Sequence, residues 1–209
     1  IGLSNDGRGQ FVLSPNFKGQ IQAYKRAYES SKVSPEKIDY IECHATGTPL
    51  GDKVELDSME LFFTAPDLPE EKKSKPLIGS VKSNLGHMLT AAGMGGMTKV
   101  ILALQYGKIP ATRGVKDAMS SKNDGVSANQ IILKTTVWPH RRSDRRAAVS
   151  AFGFGGTNAH LIFESGVTNV KLIDLPETQN TIALAILGME AIFAGCNGLH
   201  EFYQTIYDN

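Results

Sequence analysis

The stretch Ile38-Asp39-Tyr40-Ile41-Glu42-Cys43-His44-Ala45-Thr46-Gly47-Thr48-Pro49-Leu50-Gly51-Asp52 decides the fold class. Residues 38–43 are a short apolar run of strand length. Gly47, Pro49 and Gly51 then make a turn, and residues 54–63 read as a helix with Asp52 as its cap. A strand handing over directly to a helix is the unit of a layered α/β domain. His44 stands at the carboxyl end of that strand, the edge where α/β sheets bind ligands. Alone, a histidine there reads as structural; the threonines and glycines around it turn the reading toward chemistry. Cys43 beside it invites a Cys–His nucleophilic pair. Neighbours on a strand point to opposite faces, so Cys43 reads instead as a small buried apolar residue.

Outward from this stretch, residues 10–13 read as a strand closed by Ser14-Pro15-Asn16. Ile21, Tyr24, Ala27 and Tyr28 recur at helical spacing, and Pro35 opens a short helical turn. Downstream come a charged loop (65–75), a strand (77–81), a helix (91–106), a polar loop (120–129) and a strand (130–138). Residues 147–152 and 159–163 flank the loop 153–158 as strand, turn, strand. Composition changes after Glu164: residues 165–180 read as a linker, and 181–209 begin a new strand-then-helix pattern.

A second motif, Gly79-Ser80-Val81-Lys82-Ser83-Asn84-Leu85-Gly86-His87, again ends a strand in polar groups ahead of a helix. Lys82 closes an apolar strand, where burial is costly without a hydrogen-bond partner. A surface lysine and a helix-capping histidine are the plainer alternative. The helix behind it carries Gly93, Gly95 and Gly96, each costing about 1 kcal/mol relative to Ala. Such glycines make sense where another backbone packs very close. The third motif is Phe152-Gly153-Phe154-Gly155-Gly156-Thr157-Asn158-Ala159-His160. A phosphate-binding glycine loop needs a helix amino-terminus after it, whereas residues 159–163 are strand-like. Two readings remain: a hairpin whose φ > 0 positions are glycines, and a mobile loop offering backbone amides to an oxyanion.

Lys and Arg total 22 against 21 Asp and Glu, so no overall field draws in nucleic acid or an anionic membrane. The longest apolar run, 182–189, is far short of the roughly 20 residues of a membrane span. Two cysteines, Cys43 and Cys196, outside any CxxC, fit a reducing cytoplasm better than a disulfide framework. No spacing pairs His140 or His160 with Cys or carboxylates, so no metal site is expected. The run His140-Arg141-Arg142-Ser143-Asp144-Arg145-Arg146 reads as a solvated loop, with a carrier-protein or phosphopantetheine contact as the minority reading. A start at Ile1 without Met, and an end just inside a new apolar pattern, lead us to expect a portion of a longer polypeptide.

Taken together and in this order, the motifs resemble one family. ECHATGTPLGD, GSVKSNLGH…AAG and SAFGFGGTNAH are similar to the three carboxy-terminal signatures of β-ketoacyl synthases of the type I polyketide kind. Asn5, Asp6, Gly7, Pro15, Asn16 and Gln20 agree, and the resemblance runs from about residue 1 to 164. IECHATGTPLGDKVELDSME most resembles the synthase domain of bacterial polyunsaturated-fatty-acid synthases, which a chain-length-factor domain follows. Residues 181–209 resemble the opening of such a domain.

The resemblance implies an α/β fold of the thiolase-like αβαβα type, here mainly its carboxy-terminal half with a mixed sheet, in a homodimer or pseudodimer. It implies decarboxylative Claisen condensation of acyl and malonyl thioesters, the phosphopantetheine arm coming from a partner acyl carrier protein and no cofactor bound directly. His44 and His87 match the two catalytic histidines and Lys82 the lysine that orients and polarises them. Thr46 and Thr48 match the threonines that bind the phosphopantetheine arm. Phe154 matches the gating residue whose amide completes the oxyanion hole, and Gly155 and Asn158 lie with it on the substrate side. The nucleophilic cysteine of the family is not matched by Cys43 or Cys196. Gly96 stands where bacterial fatty-acid enzymes carry an acidic residue. A thiolase would end in a Cys-Gly-rich motif, which this chain lacks. A non-catalytic chain-length-factor-like partner would tend to lose His44, Lys82 and His87, all of which are kept.

Overall fold

The computed structural model describes residues 1–7, 14–166, 192–193 and 196–207. β1 (Gly2–Asn5) leads to α1 (Phe17–Ser31), capped by Asn16, whose side-chain oxygen accepts from the Lys18 N–H at 3.0 Å. β2 (Tyr40–Glu42) precedes α2 (Pro49–Phe63), and β3 (Leu77–Gly79) precedes the single-turn α3 (Lys82–Leu85) and then α4 (Ala92–Tyr106). The short strands β4 (Lys108–Ile109) and β5 (Thr136–Val137) pair with each other. A long hairpin of β6 (Arg146–Phe152) and β7 (Thr157–Glu164) follows. β8 (Ile192–Phe193), β9 (Cys196–Asn197) and α5 (Leu199–Tyr207) come last.

The main sheet is mixed, in the order β1-β7-β6-β2-β3. β6, β2 and β3 run parallel, and β7 is antiparallel to both β6 and β1. Both faces of β2 are covered. Ile41 and Cys43 join Tyr24, Leu56, Met59 and Phe63 on the side of α1 and α2. Tyr40 packs with Val100, Ala103 and Leu104 of α4 on the other. A strand buried on two faces reads as an unbroken apolar run, which is why 38–43 stood out.

Several expectations shift. The helix after β2 begins at Pro49, with Thr48 at the cap position and Asp52 in its first turn. Lys82 opens α3 rather than closing a strand. Residues 130–138 contribute β5 and a single parallel bridge from Ile131 to Ile78, because Gln130 is drawn into a capping turn: its side chain accepts from the Ser127 N–H at 2.8 Å and donates to Pro76 O at 2.8 Å. The glycines of α4 face side chains, not backbone: Gly93 meets Ala151, Gly95 meets Met88, and Gly96 meets Glu42 and Val149. The basic run is anchored more than a solvated loop would be. Asp39 takes His140, the Trp138 indole N–H and the Arg146 N–H, and Arg145 donates to Leu104 O at the end of α4. The strand expected at 10–13 and most of the linker, 167–180, lie outside the described residues. Within 181–209, α5 buries Phe202 and Ile206 against Val81, Leu85 and Leu102, so it rests on α3 and α4.

His160 on β7 has no exposed surface, sits edge-on to Tyr24 and lies 3.1 Å from Ser150 Oγ through Nδ1. Burial pushes its pKa from 6.5 down to about 3. An unfolded histidine takes up its proton near 6.5, so the stability His160 contributes is whole above that pH and drains away as pH falls toward 3. Urea titrations from roughly pH 7 to 4 should show wild type losing stability relative to His160→Phe by about 1.4 kcal/mol per unit. A difference constant with pH would contradict this.

Candidate active site

In parallel register Glu42 lies opposite Val149 of β6 and Gly79 of β3, so the strands leave the sheet at one edge. The Cys43 N–H still pairs with Gly79 O at 2.8 Å, and then His44 turns away. The turn is held from α2. Glu55 accepts from the His44 and Ala45 N–H groups at 2.8 Å each, and Asp52 Oδ1 accepts from the Gly47 N–H at 3.2 Å. Clamped this way, Ala45 takes φ +25° and Gly47 φ +79°. A positive φ on alanine is strained, and such strain persists only where surroundings over-determine it.

The second turn is built to the same end. Gly86 at φ +79° stops α3, and Leu89 at φ +49° follows His87. The Leu89 N–H donates to His87 Nδ1 at 3.0 Å, and the Phe152 N–H, at the end of β6, donates to His44 Nδ1 at 3.3 Å. An Nδ1 that accepts leaves the proton on Nε2. Both imidazoles are thus fixed as Nε2–H donors. Their ring centroids are 5.9 Å apart and the planes nearly perpendicular at 87°.

The electrostatics favour a neutral His44. Burial, then the charges of Lys82 and His87, push the His44 pKa down to about 3. Burial also lowers Lys82, while Glu42 and then Glu55 hold it up. Glu55 itself is raised to about 7 by burial, against the pull of the two amides it binds. Cys43 is raised well above the usual thiol range by burial and by Glu55, and its sulfur faces Ile41 O and Met59 rather than His44. Burial thus disfavours its thiolate, and the sulfur is turned away from His44.

Thr46 and Thr48 lie beside the histidine turn, with hydroxyl oxygens 3.1 Å apart; Thr48 is exposed. A Cβ at Gly51 would sit 2.5 Å from Thr48 Oγ1, so the glycine keeps that hydroxyl where it is. The loop after Phe152 closes through Gly153 N–H to Thr157 O at 2.7 Å, with Gly155 and Gly156 at φ +83° and +81°. Phe154 is 73% exposed. Its amide and that of Gly155 donate to nothing among the described residues. Asn158 is set apart from the cluster. Its side-chain amide is buried and bound to Asp6 Oδ1 at 2.7 Å and Gly156 O at 3.2 Å, a tether for the loop. A cavity of about 620 Å³ borders the histidine turn from below, lined by Thr46, Asp52, Glu55, Lys82, Arg113 and Lys116 among others; neither histidine lines it. Sequence reasoning missed Glu55, Glu42 and Lys99. The available signal was an acid inside the apolar strand and a lysine inside the apolar helix, each demanding a partner.

In this layered α/β fold His44 lies just past β2, and His87 lies beyond the single-turn helix that follows the neighbouring parallel strand β3. The profile of the β-ketoacyl synthase, C-terminal domain family matches residues 1–116, and the chain belongs to that family. It is 38% identical over 216 residues to a polyunsaturated fatty acid synthase chain of Thraustochytrium sp., covering 98% of this chain and 10% of that protein. A phenolphthiocerol/phthiocerol polyketide synthase chain of Mycobacterium tuberculosis is 39% identical over 168 residues, covering 78% and 9%. The chain thus spans about a tenth of the length of these curated relatives. Among solved structures, the PfaC keto synthase–chain length factor is 50% identical with a TM-score of 0.73, over 96% of this chain and 21% of that one. Ketosynthase twelve of the bacillaene polyketide synthase from Bacillus amyloliquefaciens is 36% identical with a TM-score of 0.66, over 79% and 29%. The fold is the thiolase-like α/β fold of these ketosynthases.

Nuclear magnetic resonance of labelled histidine checks the donor assignment. His44 should remain the neutral Nε2–H form from neutral pH down to about 3. A midpoint at the ordinary value of 6.5 would contradict the burial argument.

Proposed function

We propose that this chain supplies the decarboxylation and condensation half of a β-ketoacyl synthase, working on acyl and malonyl thioesters in polyketide or polyunsaturated-fatty-acid synthesis. One observation carries the reading: two imidazoles, each locked by a backbone amide into the Nε2–H form, stand 5.9 Å apart at one sheet edge. On this reading the thioester carbonyl oxygen accepts from both Nε2–H groups, each at about 2.9 Å. Loss of CO2 from a malonyl thioester leaves an electron pair on its α-carbon and charge on that oxygen. Donors already in place stabilise that charge without reorganising. The enolate carbon then bonds to the acyl carbonyl, and the thiolate that carried the acyl group departs. That thiolate is neither Cys43, which faces Met59, nor Cys196, buried beside Thr205 against α5. Isolated, the chain is therefore inert in condensation.

Thr46 and Thr48 receive the phosphopantetheine arm of an acyl carrier protein, and the free amides of Phe154 and Gly155 meet the second oxyanion. Residues 181–209 open a chain-length-factor-like domain after the linker at 165–180, and the assembly is a dimer or pseudodimer in the cytoplasm. Retention of His44, Lys82 and His87 together favours an active domain over a non-catalytic partner.

In the complete synthase, His87→Ala should cut decarboxylation of malonyl-carrier protein by about 100–1000-fold while acyl loading persists. Normal decarboxylation by His87→Ala would remove this histidine from the mechanism. Intact-mass measurement after incubation with acyl-carrier thioester should find no adduct on Cys43. An adduct lost in Cys43→Ala would overturn the account of the nucleophile.

A further inference from the structure

Glu42 is an acid inside an apolar strand, 1% exposed, and the chemistry above gives it no part. It shares a face of β2 with Tyr40 and so points toward α4. Gly96 makes the room, since a Cβ there would lie 3.1 Å from Glu42 Cγ. Three residues along α4, Lys99 Nζ reaches Glu42 Oε2 at 2.8 Å and Tyr40 Oη at 2.8 Å, and the Tyr40 hydroxyl donates to the same Oε2 at 2.7 Å. The Lys99 and Glu42 side chains are 0% and 2% exposed. Taking such a pair out of water costs several kcal/mol per ion, and well-packed apolar residues commonly do as well for stability. The other oxygen shows what the pair holds. Glu42 Oε1 accepts a short hydrogen bond from the Val81 N–H, the residue before Lys82.

We propose that Glu42 is a positioning residue for the condensation: its carboxylate ties the strand end bearing His44 to the turn bearing Lys82, held in that orientation by Lys99 and Tyr40. The inference rests on the functional reading above. Past the Cys43–Gly79 backbone pair, the described tie between the two turns is the Ser80 hydroxyl on Ala45 O at 3.3 Å. A charge-assisted bond to a backbone amide is the stronger constraint. Glu42 also stands first among the charges that keep Lys82 protonated against its burial.

Val81 has φ −65°, the value proline imposes, so Val81→Pro deletes the N–H without forcing that angle, while Val81→Ala keeps the N–H and trims the side chain. In the complete synthase, Val81→Pro should lower condensation kcat by about 100-fold with KM within about twofold, and Val81→Ala should lose no more than about threefold. Equal losses overturn the proposal. Should Val81→Pro fail to fold, two double variants without buried charge decide. Glu42→Gln with Lys99→Met keeps an acceptor for Val81 and should hold kcat within about tenfold of wild type, its high-pH limb moving to lower pH as Lys82 loses a neighbouring charge. Glu42→Leu with Lys99→Met lacks the acceptor and should fall as Val81→Pro does. A leucine variant as active as the glutamine one sinks the idea. His87→Ala separates the layers: if it decarboxylates normally the functional reading fails, whereas indifference to the Val81 N–H fails the positioning role alone.

Discussion

Parallel pairing of β2 between β3 and β6 is the constraint on which the rest of the structure depends. Parallel strands leave a sheet at the same edge, so the turns after Glu42 and Gly79 and the end of β6 at Phe152 start side by side although far apart in sequence. β2 and β3 are only three residues long, which leaves little ladder to hold them. Burial does that work: Tyr40 and Ile41 are inaccessible on opposite faces of the same strand. Each large side chain so buried contributes about 1.5–3 kcal/mol against solvent, more than a short parallel ladder offers alone.

The charges around the site are arranged by what they must not do. A reaction that builds negative charge on an oxygen is hindered by nearby free carboxylates. Asp52 and Glu55 spend their oxygens on backbone amides behind the histidine turn, and Glu42 spends its own on Lys99, Tyr40 and Val81. The residues facing the other way are donors with protons fixed by amides on Nδ1. Acids thus shape the turns, and the imidazoles are left with their Nε2–H groups as donors. The order follows from placement along the strand, because Cys43 and His44 point to opposite faces.

Much of this was legible in the sequence. The strand–turn–helix units, the glycine hairpin and the three motifs locate His44, Lys82 and His87 at one edge, since apolar runs, glycines and prolines speak for local conformation. What was hidden depends on partners far along the chain. The bond from the Asn158 side chain to Asp6 has no signal in the glycine loop that carries it. Gln130 reads as strand, yet its side-chain amide is drawn to Pro76 O, 54 residues earlier. Glu42 and Lys99 each look like an intrusion in an apolar segment until the packing of β2 on α4 brings them to 2.8 Å. Side-chain hydrogen bonds over long separations leave no periodicity to find.

The glycine hairpin looks the most local feature of the chain, and its anchor is the least local. Asn158 holds Asp6 across 152 residues, and β1 reaches the sheet only through β7. β6 in turn stands between β7 and β2. Within the described sheet, β1 stays unjoined to the pair β2 and β3 until the hairpin of β6 and β7 is made. Closing so long a loop costs entropy before any contact repays it, and sheets assembled from distant strands form slowly. The hairpin therefore completes the described sheet from the middle outward, and His44 gains its fixed geometry in that same late step, when Phe152 arrives, whereas His87 is held locally by Leu89.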